Sequence, residues 1–373
     1  MAGLSRLSSS WNAAGRAILI SIAMLVVLLS LAGAIPSNEW WLRVWDFPRL
    51  IVFAAGALAL AGLSFTRFRL RWAVIVLLLA ALAYQAGHIY PYTMLAPTEA
   101  ERIEVGAAER RDHCFSVFSL NVLQKNRDYG RTLAAIEAAD PDILLLMETD
   151  RTWAEAMAPV LTRYPHRLTA PLANTYGLVF ATRLPMLGGE VVNLTEPATP
   201  SAQAVLTSRS GRPFRLAALH PRPPHPGQDT DERDAEIAIA AMITREAGLP
   251  ALTIGDFNDV GWSETSQLFR RLGRYVDPRI GRGFYATFPA WLPGFRWPLD
   301  HIFFTEDFTL LSLSTGGSVG SDHLPVEASV CLMPAAGEDL NTPEGTRPGD
   351  IGDYREILAN YREDVVIDRR DGE

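Results

Sequence analysis

Three apolar stretches, residues 17–35, 50–65 and 72–90, crowd the start of this chain, and a soluble fold would have to bury all of them. A bilayer removes that demand. A crossing helix needs about 20 apolar residues, a length that the first and third stretches approach and the second falls slightly short of. Taken alone, the first stretch has the look of a secretory signal. Its apolar run is longer than a signal core, however, no convincing small-x-small cleavage site precedes Pro36, and two more apolar runs follow, so an uncleaved anchor is expected. Residues 1–95 are read as a transmembrane region of about three helices. A bundle of buried soluble helices is the competing reading.

Arginines set the expected orientation. Arg6 and Arg16 precede the first stretch, and Arg67, Arg69 and Arg71 fill the loop between the second and third, which marks both flanks as cytoplasmic. Trp40, Trp41 and Trp45 lie in the opposite loop and suit a membrane interface, although Arg43 and Arg49 there make the bias incomplete. Three spans export whatever follows. For a bacterial cell this means a multi-pass inner-membrane protein with its later domain in the periplasm, the lipid bilayer as its partner, and no segment that marks a protein partner.

Net charge is −8 overall, with +4 over residues 1–111, −6 over 112–333 and −6 over 334–373. Nucleic-acid binders draw much of their affinity from Lys and Arg that neutralise phosphates. The acidic middle segment, which holds the chain's only lysine, Lys125, counts against that class. Cys114 and Cys331 lie far apart without C-x-x-C spacing, so a structural zinc site is not expected. If the domain lies outside the cytoplasm and its first and last strands are neighbours, the two form a disulfide; otherwise they are buried free thiols.

Residues 96–111 read as a charged linker and 112–333 as a catalytic domain. Strand signals fall at 114–122, 143–147, 178–182, 215–219, 251–254, 301–305 and 326–332, with helical spacing at 129–139 and 230–247. Many short strands with few helices point to an α+β sandwich. The Pro/Gly-rich acidic tail, 334–373, reads as solvated and disordered, with one short helix around 354–361.

Polar residues recur where apolar strands stop. Asn121, Glu148, His220, Asp256 and Asn258 follow strand signals, while Asp300, His301, Asp322 and His323 precede them. A sandwich that gathers strand ends at one rim brings such residues together. The segments Ser119-Leu120-Asn121-Val122, Met147-Glu148-Thr149, Gly255-Asp256-Phe257-Asn258, Leu299-Asp300-His301-Ile302 and Ser321-Asp322-His323-Leu324-Pro325 resemble, in order and spacing, those of the endonuclease/exonuclease/phosphatase superfamily. That group holds pancreatic deoxyribonuclease, abasic-site endonucleases, sphingomyelinases and inositol-polyphosphate phosphatases. The resemblance implies a four-layer sandwich of two packed mixed sheets flanked by helices, and a metal-dependent hydrolase of phosphate esters.

A phosphate ester repels a nucleophile, so such an enzyme needs a cation to mask charge and a base to activate water. Magnesium, with manganese as substitute, prefers carboxylate oxygens and retained waters; Glu148 is the expected ligand, Asn121 orients it or a phosphate oxygen, and Asp322 serves a metal or the leaving oxygen. Asp256 is the expected base and Asn258 a donor to the phosphate, although a Gly-Asp-x-Asn stretch is also a plain tight turn. The resemblance implies that His323 sits against the phosphate with its ring held by Asp300, and that His220 lies near the scissile bond; a solvent-exposed loop histidine is the competing reading for His220. His225 and His301 read as structural.

The aromatic run at 289–298 offers Trp291, Trp297 and Arg296 as substrate contacts: a lipid-facing lip or a base-stacking platform, with Arg296 on a phosphate. A Pro-rich loop that buries its own tryptophans is the plainer alternative. The expected function is a membrane-anchored phosphodiesterase or phosphatase acting on a lipid headgroup, nucleotide or nucleic acid. A periplasmic DNA or RNA nuclease and a catalytically silent membrane sensor or scaffold are the alternatives.

Overall fold

The computed structural model describes residues 2–371, which fall into two compact units. One holds the chain up to Pro91 together with residues 226–228. Its helices are α1 (Ala2–Ala32), α2 (Trp40–Arg43), α3 (Arg49–Ser64) and α4 (Arg71–Ile89). Two helical stretches, Ala13–Ala32 and Arg71–Tyr92, are long and apolar enough to cross a membrane. The 16 residues of α3 rise about 24 Å, short of a hydrocarbon core of about 30 Å. Trp40–Asp46 precedes α3 across a 70° bend. Of three expected spans, two therefore stand alone, and the third exists only if the bent pair counts as one. Ala23, Val26, Val52, Leu63, Leu78 and Leu82 form the interior of this unit, whereas Leu58, Phe65, Trp72 and Val76 face outward. Arg49 is buried against Asp46 and the Gln85 amide oxygen (3.2 Å).

The second unit runs from Tyr92 to His225 and from Asp229 onward. In chain order its elements are α5 (Ala107–His113), β1 (Cys114–Asn121), α6 (Tyr129–Ala139), β2 (Ile143–Met147), α7 (Arg151–Ala156), α8 (Ala158–Leu161), β3 (His166–Ala170), β4 (Leu178–Thr182), β5 (Met186–Asn193), β6 (Pro200–Thr207) and β7 (Pro213–Leu219). There follow α9 (Asp231–Ala247), β8 (Ala251–Asp256), α10 (Glu264–Gly273), β9 (Tyr275–Val276), β10 (Asp300–Thr305), β11 (Phe308–Thr315), β12 (Val326–Leu332), α11 (Pro334–Leu340) and α12 (Asp350–Asp371).

Two six-stranded mixed sheets result, ordered β11-β12-β1-β2-β4-β3 and β5-β6-β7-β8-β10-β9. Their facing sides bury Phe115, Leu145 and Phe180 from the first against Phe214, Leu216, Ile254 and Ile302 from the second. Phe115 stacks on Phe214 with ring centroids 5.1 Å apart. Helices α6, α7 and α8 cover the outer side of the first sheet through Ile136, Trp153 and Val160, and α9, α10 and α12 cover the second. The four-layer sandwich is the expected one. Each sheet contains one parallel pair, β1 with β2 and β7 with β8, joined by a crossover through α6 or α9. The C-terminal ends of these parallel strands and the starts of antiparallel β10 and β12 therefore share one rim.

Five strands escaped the sequence reading: β9 is only two residues long, and none of the other four is a continuous apolar run. In β3 burial alternates residue by residue, β5 carries Gly188 and Gly189, and Ser, Thr and Gln interrupt β6 and β11. The segment read as a linker is built into the fold. Ala100 joins the core between the sheets, the Ile103 amide bonds the Leu310 carbonyl at 3.0 Å, and the Glu99 carboxylate accepts from Arg270. The tail read as disordered forms α11 and α12 instead: Asp350 pairs with Arg271 at 2.8 Å, and Ile351, Tyr354 and Ile357 pack on the helical face of the second sheet. In both segments, acids that looked solvated have buried arginine partners. Cys114 and Cys331 face each other across β1 and β12 and are joined as a disulfide.

Candidate active site

Asp256 closes β8, and its placement starts from Gly255. The glycine has φ +143°, and a Cβ there would stand 1.9 Å from the Leu219 carbonyl of parallel β7. Only glycine permits that approach. Asp256 is fully buried, with Oδ1 accepting from the Asn258 amide at 2.9 Å and Oδ2 from Asn121 Nδ2 at 3.1 Å. The same Asn121 amide donates to Glu148 Oε1 at 2.9 Å. One side chain at the end of β1 thus ties the carboxylate of one sheet to that of the other.

Glu148 follows β2 in a left-handed conformation (φ 59°) that turns it off the strand end. Its Oε2 accepts from the Gln124 amide at 3.0 Å, and the residue is half-exposed. Asp300 opens β10 directly opposite Asp256 in the antiparallel register, and its Oδ2 lies 2.7 Å from His323 Nδ1. The other ring nitrogen of His323 stands 3.6 Å from Asp256 Oδ2, and His220 Nε2 stands 3.9 Å from the same oxygen. Burial works against charge on the His323 ring, but the Asp300 and Asp256 carboxylates outweigh it and push the ring up to about 10. His220 feels burial most and is held below its ordinary value, hence neutral near pH 7. Burial also raises the Asp256 carboxyl, against the pull of His323.

The rim thus joins Asn121, Glu148, His220, Asp256, Asn258, Asp300 and His323. His220 is buried, not an exposed loop residue, and its Nδ1 has no hydrogen-bond partner. Asn258 Nδ2 donates to the Pro221 carbonyl at 3.0 Å, which leaves one amide hydrogen for another acceptor. Asp322 is linked to the group through Ser321, whose hydroxyl reaches Asp322 Oδ1 at 3.5 Å and the Asn121 carbonyl at 2.6 Å. Arg296, expected on a phosphate, instead turns its guanidinium onto the Pro289 and Ala290 carbonyls of its own loop. Trp297 bridges Phe288 through backbone bonds, and Trp291 is 72% exposed. His301 is buried between Arg279 and the Asp259 carbonyl.

Sequence reasoning missed Ser321, Tyr176 and Phe288. The Ser321 hydroxyl also accepts from the His323 amide at 3.0 Å, the Tyr176 ring lies 5.7 Å from that of His220, and the Phe288 ring lies 4.9 Å from that of His323. The Ser-Asp-His spelling pointed at Ser321; nothing local marked the two aromatics.

The residues fit a hard divalent cation. Each Glu148 oxygen accepts only one of the hydrogen bonds described above, and buried Asp300 Oδ1 has no hydrogen-bond partner. Ligand atoms of Asp256, Asp300 and His323 also lie within 4.8 Å of one another, a geometry that admits a cation only when the His323 ring is unprotonated. Carboxylate oxygens are what magnesium and manganese select.

Comparison with known proteins matches residues 118–323 to a family described as the Endonuclease/Exonuclease/phosphatase family. No curated protein matches the chain. Similar solved structures include humanized D. rerio TDP2, 16% identical with a TM-score of 0.47 over 58% of this chain and 98% of that one. ANGEL2, described as a 2′,3′-cyclic phosphatase, is 15% identical with a TM-score of 0.49 over 60% and 96%. The human Nocturnin catalytic domain is 20% identical with a TM-score of 0.47 over 58% and 93%.

Proposed function

The chain belongs to the Endonuclease/Exonuclease/phosphatase family and is a divalent-metal-dependent phosphoesterase; from that premise we propose that it is anchored in the inner membrane by the apolar helices that precede Tyr92 and hydrolyses lipid-borne phosphate esters outside the cytoplasm. The observation that carries the reading is the rim on which Asn121 bonds both Glu148 and Asp256 while Asp300 holds His323. Magnesium, replaceable by manganese, would be held by Glu148 with Asn121 and Asp322 beside it, and would mask phosphate charge and stabilise the leaving oxygen.

The chain's own groups account for the rest. Asp256 takes the proton of the attacking water through Oδ2, with Oδ1 fixed by the Asn258 amide. Its raised pKa brings it nearer the working pH, where a general base is most effective. His323 stays charged and donates from Nε2 to a phosphoryl oxygen. The spare Asn258 hydrogen and neutral His220 give further hydrogen bonds to the phosphate.

Location rests on two supports. Leu25, Leu28, Leu58, Val76 and Leu79 face outward from the apolar helices, as lipid contact requires, and the Cys114–Cys331 disulfide belongs to an oxidising compartment. The hairpin at 288–297 favours a lipid substrate over a polynucleotide. Trp291, Leu292 and Phe295 stand exposed on it while Phe288 touches His323, and the acidic charge of residues 112–333 suits no polyanion.

The test uses the full chain in detergent micelles with magnesium, comparing wild type with Asp256→Asn on bis-para-nitrophenyl phosphate, phospholipid micelles, nucleotides and plasmid DNA. The reading expects turnover that chelation removes, a loss of about 10²–10⁴-fold in the variant, and preference for phospholipid. Activity confined to DNA would transfer the assignment to a nuclease, and an unimpaired Asp256→Asn would end the mechanism.

A further inference from the structure

The segment that leaves the last apolar helix enters a buried polar chain that ends beneath the rim. Tyr92 is 1% exposed. Its ring meets Trp262 edge-on at 5.3 Å and stacks on Phe284 at 6.5 Å, and the Arg279 guanidinium lies over it at 5.6 Å. Its hydroxyl donates to Asp277 Oδ2 at 3.2 Å. Further along the segment, the Glu99 carboxylate accepts from Arg270 Nη2 at 2.5 and 2.6 Å and from the Asp277 amide at 2.9 Å. Two side chains from a stretch that reads as membrane exit and linker therefore hold Asp277, one at its carboxylate and one at its backbone.

Asp277 passes that constraint on. Its carboxylate accepts from Arg279 N at 3.0 Å, Nε at 2.9 Å and Nη2 at 2.7 Å. Arg279 Nη2 also faces His301 Nδ1 at 2.7 Å. A guanidinium cannot accept, so Nδ1 is the acceptor and the ring proton sits on Nε2, which donates to the Asp259 carbonyl at 2.9 Å. The network fixes the His301 tautomer and, with it, two neighbours of the site. Asp300 directly precedes His301 and holds His323. Asp259 follows Asn258, whose amide fixes Asp256 and whose carbonyl accepts from Arg233 Nη1 at 3.0 Å.

We propose that Tyr92 and Glu99 are positioning residues of the active site, acting through Asp277, Arg279 and His301 on the placement of Asp300, His323 and Asp256. The inference rests on the reading in which Asp256 and His323 carry the chemistry. Its physical basis is that every link is buried. Such a network has few alternative arrangements, so a lost bond at one end is relieved by movement of its members. A displacement of about 1 Å far from the reacting atoms can cost on the order of 10²-fold in rate. The segment that exits the last apolar helix is thereby part of the catalytic machinery's support.

The experiment uses the full chain in detergent micelles with magnesium and bis-para-nitrophenyl phosphate. Tyr92→Phe keeps the ring packing and removes the hydroxyl. Gly261→Ala strains the same contact from the other side, since its Cβ would stand 2.6 Å from both the Tyr92 hydroxyl and Arg279 Nη2. Each variant is expected to lower kcat by about tenfold or more, with KM within about twofold, and Tyr92→Phe to stay folded at the assay temperature with its thermal midpoint lowered by only a few degrees. A kcat near wild type in folded protein overturns the inference. So does a loss that appears only in KM, or one that disappears when the assay is cooled to refold the variant. Asp256→Asn run in parallel separates the two failures: if it stays active, reading and inference fall together; if it is dead while Tyr92→Phe is normal, only the inference falls.

Discussion

Replacing Asp300 by Asn interrogates the charge on His323. The carboxylate lies 2.7 Å from His323 Nδ1, and the ring is buried. Burial alone would make it neutral, so the charge that survives to about pH 10 depends on Asp300 first and on Asp256, 3.6 Å away, second. An opposite charge at such range shifts a pKa by about 1–3 units. Asn removes the larger of the two contributions while keeping the size of the side chain. On the proposed mechanism the ring is charged below its pKa, so the alkaline limb of the kcat profile would mark where a phosphate donor is lost. In wild type that limb should lie near pH 10; in Asp300→Asn it should fall to about 7–9. Loss of an oriented, charged donor to the transition state costs on the order of 10²–10³-fold in kcat. The assay is turnover of bis-para-nitrophenyl phosphate at saturating magnesium from pH 5 up to the pH at which magnesium hydroxide forms, a window that holds the variant's limb but not the wild type's, with the folded fraction checked at each pH. A variant slowed at every pH, with no alkaline limb inside that window, would refute the argument that Asp300 sustains the charge.

Three further outcomes are expected. Glu148→Gln should raise the magnesium concentration for half-maximal rate by about tenfold or more, read from metal titrations of activity; an unchanged titration would move the cation elsewhere. Cys331→Ser opens a link that spans 217 residues and should lower stability by roughly 2–5 kcal/mol, measured by urea unfolding; no measurable shift would sink the claim. A phosphatase reporter that works only outside the cytoplasm, fused behind α12, should be active in bacterial cells, and a silent reporter on a well-expressed fusion would place the catalytic unit on the other side.

Much of the site was legible because its residues follow a rule that needs no tertiary knowledge. An apolar run specifies a buried strand, and a carboxylate, amide or imidazole at its end needs polar partners that the strand-end rim supplies and the apolar interior does not. Asn121, Glu148, Asp256, Asp300 and His323 all obey it. Which of them touch was not legible, since the Asn121 contact to Asp256 spans the two sheets and exists only once they pack. His220 shows the opposite difficulty. Its Pro-rich neighbourhood keeps an exposed loop open as the competing reading, which the buried ring beside Tyr176 excludes. Arg296 reads as a phosphate grip and instead closes its own hairpin, because a tight loop leaves carbonyls that a nearby guanidinium satisfies. Domain edges failed for one shared reason. Glu99 and Asp350 are charges that composition assigns to solvent, but Arg270 and Arg271 lie on the buried side of α10 and take them as partners.

Helix lengths and the disulfide constrain each other. With the arginines before the first apolar stretch held in the cytoplasm, two spans would return the chain there and three would export it. A cytoplasmic catalytic unit would keep Cys114 and Cys331 reduced, yet they are bonded across adjacent strands. On the proposed placement outside the cytoplasm, the bent pair ending in α3 would make the third crossing. Its straight part falls about 6 Å short of the hydrocarbon thickness. That mismatch costs fractions of a kcal/mol per Å, a few kcal/mol at most, and the preceding residues Trp40–Asp46 lie across the bend to extend it. Arg49 at the bend is already satisfied by Asp46 and Gln85, so the crossing buries no unpaired charge. The proposed export of the catalytic unit thus requires an odd number of spans, the count at which helix length, arginine placement and the disulfide agree.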